Sequence, residues 1–120
     1  MVKKKTLVVG ASPKPTRYSY EAVVRLRHHG HPIYAFGLRK SDIMGTPIQT
    51  DWPNEEFDTV TLYLNPNRQQ EYYEDIVNLR PKRVIFNPGT ENPHFMEKLE
   101  REGIEVEAVC TLVMLSIGNY

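Results

Sequence analysis

The residues of this sequence able to grip an anion fall directly after short apolar runs. Gly10-Ala11-Ser12-Pro13 is the first such group, with Arg17 and Ser19 close behind, and Leu38-Arg39-Lys40 is the second. A glycine that ends an apolar run permits a tight turn and lets a phosphate approach the backbone. Where a helix follows, its first N–H groups are unpaired and its dipole favours negative charge. A guanidinium at that point, as Arg17 offers just before Tyr18, matches two phosphate oxygens at once. Lys14, in the same loop, reads as a solvated side chain. The second and third glycines of the dinucleotide fingerprint G-x-G-x-x-G are missing. The turn therefore asks for a phosphate ligand held in a longer, proline-stiffened loop, or is a plain turn.

The second group narrows the choice. A site that reads the free ribose hydroxyl of NAD places Asp or Glu at the end of the second strand. Here that position is Phe36-Gly37, followed by Leu38, Arg39 and Lys40, with no acid before Asp42. Two cations at this corner suit a phosphorylated ribose, whether the 2′-phosphate of NADP or the 3′-phosphate of coenzyme A; an exposed basic loop is the plain alternative. Two further loops, Leu64-Asn65-Pro66 and Pro88-Gly89-Thr90, are stiffened by prolines, which carry no N–H. The latter adds a hydroxyl and a concave backbone patch ahead of a helix. Either could equally be a rigid turn.

No catalytic or metal constellation emerges. His28, His29 and His31 cluster at a helix end, where a positive imidazole favours the dipole, and His94 stands apart without a partner at ligand spacing. Cys110 follows the last strand on the ligand side, either as a reactive thiol or, more simply, as an inert half-buried residue. No serine has a nucleophile-elbow context. Glu91 and His94 read as ordinary surface residues of a helix start.

The elements that must position these loops alternate regularly. Lys5 to Val9 forms an apolar run ended by Gly10. Tyr20, Val23, Val24 and Leu26 share one face of a helix over Ser19 to His29, which Gly30 stops. Ile33 to Phe36 is the second strand. Residues 37–57 are irregular, with a minor strand at Pro47–Gln49 and a helical turn near Asn54. Asp58 to Leu64 is the third main strand, and Tyr72, Tyr73, Ile76, Val77 and Leu79 mark one helix over Asn67 to Leu79. Arg83 to Phe86 is the fourth strand. Asn92-Pro93 then caps a helix to Glu102, Gly103 stops it, and Ile104 to Val109 is the last strand.

This alternation demands parallel strands joined by right-handed crossovers. The expected fold is α/β: a Rossmann-like, doubly wound parallel sheet of about five strands in one domain over residues 1–120, ordered 3-2-1-4-5. Ligands of such sheets bind outside the carboxyl ends of the strands, where the strand order reverses.

The totals agree with a small-molecule binder. The chain has 120 residues, with 15 Lys plus Arg against 15 Asp plus Glu, so there is no global electrostatic attraction for nucleic acid or an anionic membrane. No apolar stretch approaches the ~18 residues of a membrane span. The N-terminus lacks the apolar core of a signal peptide, and one cysteine cannot form an intrachain disulfide, so the expected location is cytoplasmic.

The quoted loops carry a resemblance. "VVGASPKPTRYSY", "FNPGTENPHF" and "EVEAVCTLVML" resemble the small stand-alone CoA-binding-domain proteins, single Rossmann-like domains similar to the CoA-binding domain of the succinyl-CoA synthetase α subunit. The likeness runs over about residues 5–115. It implies a site for coenzyme A or a related adenine nucleotide built from Gly10, Ala11, Ser12, Pro13, Arg17, Tyr18, Gly37, Leu38, Arg39, Lys40, Leu64, Asn65, Pro66, Pro88, Gly89, Thr90 and Cys110. It does not bring the synthetase's chemistry, whose phosphohistidine and nucleotide-grasp parts lie outside this kind of domain. The expected function is CoA or acyl-CoA binding without catalytic machinery. The alternatives are an NADP-binding oxidoreductase-like domain, or a ligand-sensing or interaction protein with a vestigial nucleotide site whose apolar tail, "TLVMLSIGNY", covers a partner in a homo-oligomer.

Overall fold

The computed structural model describes residues 2–120. Its seven-stranded sheet is assembled from β1 (Thr6–Val9), β2 (Ile33–Phe36), β3 (Ser41–Ile43), β4 (Thr46–Gln49), β5 (Thr59–Leu62), β6 (Arg83–Phe86) and β7 (Glu105–Glu107). Helices α1 (Tyr18–His28), α2 (Pro66–Gln69), α3 (Tyr73–Leu79), α4 (Pro93–Arg101) and α5 (Thr111–Ser116) connect and cover it. Every strand pair is parallel except β3 with β4. The α/β, Rossmann-like class is as expected, with seven strands in place of about five.

The strand order also differs. It runs β3-β4-β2-β1-β5-β6-β7, so the third main strand, β5, lies against β1 with Thr6 opposite Thr59, and not beyond β2. The outer place beside β2 is taken by the hairpin β3–β4, where Ala35 is opposite Ile48. Met44 and Gly45 make the hairpin turn at φ of 45° and 93°. Asp42 Oδ2 accepts the Gly45 amide, and Arg27 of α1 donates to Met44 O and Thr46 Oγ1. The hairpin thus shields the β2 edge with short strands. The order reverses between β1 and β5, which puts the switch point beside Gly10.

Two cores follow from the pleat. Leu7, Val9, Val60 and Leu62 face Ile76, Val77, Phe95 and Leu99 of α3 and α4. Val8, Ala35 and Ile85 face Val23 and Leu26 of α1 and Met114 and Leu115 of α5. Each fully buried side chain of this kind contributes about 1.5–3 kcal/mol.

Two local expectations are corrected. Residues 50–58 hold no helical turn near Asn54; they run irregularly, with bends, and are anchored by the buried Pro53 and Phe57. The single helix over Asn67–Leu79 is broken into α2, a 3₁₀ turn at Gln70–Tyr72, and α3. Gln69 causes the break: it is fully buried, and its amide donates to Leu64 O and Thr90 O at 2.9 and 2.8 Å. The apolar tail is a helix of this same domain. Met114 and Leu115 are buried, whereas Val113 and Ile117 are 54% and 65% exposed. No helix among the described residues is long and apolar enough to cross a membrane.

Candidate functional site

At the carboxyl ends of β1, β2, β5 and β6 the loops enclose a cleft of about 720 Å³, within the ~300–1,000 Å³ typical of small-molecule sites. It brings together Gly10–Pro13, Arg17 and Tyr18 after β1, Gly37–Arg39 after β2, Leu64 and Asn65 after β5, and Pro88–Thr90 after β6. Lys40, Pro66 and Cys110 do not line it. Lys40 is carried away by the start of β3, and Pro66 opens α2 behind Asn65. Cys110 precedes α5 and is half-buried beside Tyr63.

Two glycines set the cleft floor. Gly10 has φ of 94°, and a Cβ there would lie 3.0 Å from Leu64 Cδ2 and 3.1 Å from the Tyr63 carbonyl carbon. At Gly37 a Cβ would lie 2.4 Å from Ala11 O, inside any allowed contact. The loops after β1 and β2 therefore touch backbone to backbone. Their contact consumes two amides, since Gly10 N and Ala11 N both donate to Phe36 O at 2.9 Å. The first two amides of the expected phosphate turn are thus not free. The free ones lie further on: among the described residues, the Tyr18 and Ser19 amides at the start of α1 have no intramolecular acceptor, and no side chain caps that helix. They open a helix of 11 residues, so the partial positive charge of its N-terminus faces the cleft.

The loops after β5 and β6 are tied to each other beneath the cleft. Gln69 links them, and its Oε1 accepts from Asn92 Nδ2 at 3.0 Å. Asn87 donates to Thr61 Oγ1 and Leu62 O, and its carbonyl accepts both the amide and the hydroxyl of Thr90. Gly89 N donates to Glu91 Oε1 at 2.8 Å, so that amide too is occupied. A Cβ on Gly89 would meet nothing within 4 Å, which makes this end of the cleft open. Burial holds the Tyr63 phenol protonated, well above its ordinary range.

The electrostatics are one-sided. Lys14, Arg17, Arg39 and Arg68 line the cleft, and no described Asp or Glu does. None of the four forms an ion pair with a described acid, although seven other cations of the chain do. Lys14, read from sequence as merely solvated, belongs to this set. Arg68 and Tyr72 were missed because both sat inside an expected continuous helix, Tyr72 as a core position. The pattern "NPNR", with Asn65 Oδ1 capping the Arg68 amide at 3.0 Å, was the available signal that Arg68 opens a helix at the strand end. Among the described residues no cluster of three or more His, Cys, Asp or Glu is arranged to hold a metal ion.

A family model described as a CoA binding domain matches residues 4–116. No curated protein matches the chain. Among solved structures, that of an uncharacterized protein is similar at TM-score 0.96 and 49% identity, covering 100% of both chains. A hypothetical protein from Pyrococcus horikoshii OT3 is similar at TM-score 0.87 and 25% identity, over 96% of this chain and 83% of that one. A Thermus thermophilus protein, cell-free ID.343, shares the fold at TM-score 0.85 and 22% identity, over 98% and 91% of the two chains.

Proposed function

The chain belongs to the CoA-binding-domain family, and from that membership we propose that the cleft binds coenzyme A or an acyl-CoA as a non-catalytic module. The observation that carries the reading is the charge of the cleft. In a chain of zero net charge, four unpaired cations and no described acid line it. Coenzyme A carries its negative charge in two places, a pyrophosphate and a 3′-phosphate, and a spread of cations suits that better than a single clustered pair. The pyrophosphate lies at the free Tyr18 and Ser19 amides with Arg17 and Lys14 beside it. Arg39 takes the 3′-phosphate. The thiol arm runs toward Pro88–Thr90, where Gly89 leaves room. At that end the Glu91 carboxylate already accepts the Gly89 amide, and the reading is of a module that presents its ligand.

Calorimetric titration with CoA, dephospho-CoA and NADPH at moderate salt tests this. A hydrogen bond to a charged group is worth about 1.5–3 kcal/mol, so loss of the 3′-phosphate weakens binding by roughly ten- to a hundredfold. Tighter binding of NADPH than of CoA would turn the reading to the NADP alternative. No heat with any ligand, and no change in melting temperature, would overturn both.

A further inference from the structure

The cleft wall between the ends of β2 and β5 is aromatic. Phe36, the last residue of β2, and Tyr72 both line the cleft. Their ring centroids are 5.5 Å apart at 80°, edge to face. Trp52 lies outside the cleft lining and stacks on Tyr72 at 5.5 Å and 16°, while meeting Phe36 at 4.9 Å and 80°. Three rings thus brace one another, and Trp52 backs Tyr72 from outside the cleft lining. Consecutive tyrosines divide the work. Tyr73 stacks on Phe95 in the core at 4.2 Å and accepts from Asn92 Nδ2, whereas Tyr72 is turned to the cleft. The 3₁₀ turn at Gln70–Tyr72 creates this division, with Tyr72 at φ −110° and ψ 2°. Short 3₁₀ segments inside helices mark either functional positions or local strain, and here the buried Gln69 sets the turn.

Charge sits beside this wall. Burial, and then the Glu71 carboxylate, hold the Tyr72 phenol above its ordinary range; Arg68, one helical turn before it, works against them, and Asp75 adds to the rise. Arg39 follows Phe36 by three residues. Resting on the coenzyme reading above, we propose that Tyr72, backed by Trp52 and Phe36, is the platform on which the ligand's purine base stacks, and that Arg68 joins Arg39 at the 3′-phosphate of the adjoining ribose. A base has a π-face and delivers stacking energy on such a ring, while a flexible pantetheine arm gains little from a braced flat surface. The site therefore reads the nucleotide part of its ligand, a base with phosphate on both sides, more strongly than the thiol arm.

The test compares three ligands, CoA, adenosine 3′,5′-diphosphate and 4′-phosphopantetheine, by calorimetry, with Trp52 fluorescence as a second readout. Tyr72→Leu weakens CoA and adenosine 3′,5′-diphosphate about tenfold or more and leaves 4′-phosphopantetheine unchanged. Tyr72→Phe keeps the ring and binds like the wild type, which separates stacking from any loss of fold. Arg68→Gln weakens the two nucleotides by roughly tenfold to a hundredfold. The inference is overturned if the wild type binds CoA and neither Tyr72→Leu nor Arg68→Gln alters it, or if Tyr72→Leu weakens phosphopantetheine as much as CoA. Binding of adenosine 3′,5′-diphosphate without binding of CoA would sink the coenzyme reading and leave the platform standing. Failure to bind either would sink both.

Discussion

The two ends of the parallel strands use cations in opposite ways. At the carboxyl ends Lys14, Arg17, Arg39 and Arg68 ring the cleft without a described acid to pair with. At the amino ends cations are bound into the protein. Lys5 meets Glu55, Lys82 lies 4.0 Å from Asp58, and the buried Arg83 donates to Thr59 Oγ1 at 2.7 Å and Glu107 Oε2 at 3.0 Å. Tyr120 closes this end. Its ring lies 4.4 Å from the Arg83 guanidinium and 4.9 Å from the His31 ring. Its hydroxyl is 2.6 Å from Thr6 Oγ1, and its backbone oxygen accepts from Lys4 Nζ at 2.6 Å. An unpaired, hydrated cation contributes little to folding and is free to meet an anion; a buried cation must be paired, because leaving it unmatched is costly. Stability and binding therefore belong to opposite poles of one sheet, and substitutions at each pole should move only one of them.

Tyr120→Ala puts the largest strain on that separation. Removing a buried aromatic ring costs about 3–5 kcal/mol, and here it also uncovers Arg83. Urea unfolding should show that loss, while CoA affinity measured where the variant is still folded stays within about twofold. A large loss of affinity with unchanged stability would mean that the two poles are coupled through α5.

Arg39→Gln is the converse. It should weaken CoA by roughly ten- to a hundredfold and leave dephospho-CoA nearly unchanged, with folding stability altered by no more than about 0.5 kcal/mol. A matching loss for both ligands would take Arg39 off the 3′-phosphate and leave that group to Arg68. Gly37→Ala is the one change that should affect both properties. Its Cβ would lie 2.4 Å from Ala11 O, and relief by backbone shift costs about 1–3 kcal/mol. The same shift disturbs the Phe36 carbonyl that holds the Gly10 and Ala11 amides, so affinity should fall together with the urea midpoint.

Much of this arrangement was legible in the sequence, and what was not has local causes. β1, α1, β2, β6 and α4 announce themselves through short apolar runs, helical spacing and punctuation by Gly10, Gly30 and Asn92-Pro93. The strand order did not. An antiparallel hairpin turned by Met44-Gly45 lacks the Asn-Gly or Asp-Gly signature of such turns, so its two strands were read as one minor strand and the third main strand was sent to the wrong side. The helix break was hidden because a buried glutamine leaves no periodic trace; Gln69 is explained only by the carbonyls of Leu64 and Thr90, which are distant in sequence. In the site, the loops were found by their glycines and prolines. Two details needed coordinates: that the Gly10 and Ala11 amides are already taken, and that Tyr72, packed against the core as its spacing predicts, also lines the cleft.

The smallest effect is a pH dependence confined to the structural pole. His31 is 3% exposed and its Nδ1 accepts the Lys4 amide at 2.9 Å, so the neutral ring carries its proton on Nε2, which has no partner. Burial, and then the positive neighbours Lys3, His29, Lys4 and Arg83, hold its pKa below the ordinary 6.5. Protonation would also remove the acceptor that Lys4 N–H uses. Between the lowered folded value and 6.5 the unfolded chain binds more protons than the folded one, so stability rises with pH across that window. The contribution is complete above about pH 6.5 and is lost as pH falls through the folded value. Urea unfolding at pH 7 and at pH 5 should show a larger drop for the wild type than for His31→Gln, whose amide oxygen still accepts the Lys4 N–H but does not titrate. CoA affinity should follow the same pH course in both proteins, because His31 lies at the opposite end of the sheet from the cleft. Equal stability losses in the two proteins would assign the acid sensitivity to the carboxylates instead, and a CoA pH course that differed between them would show that the two poles are not independent.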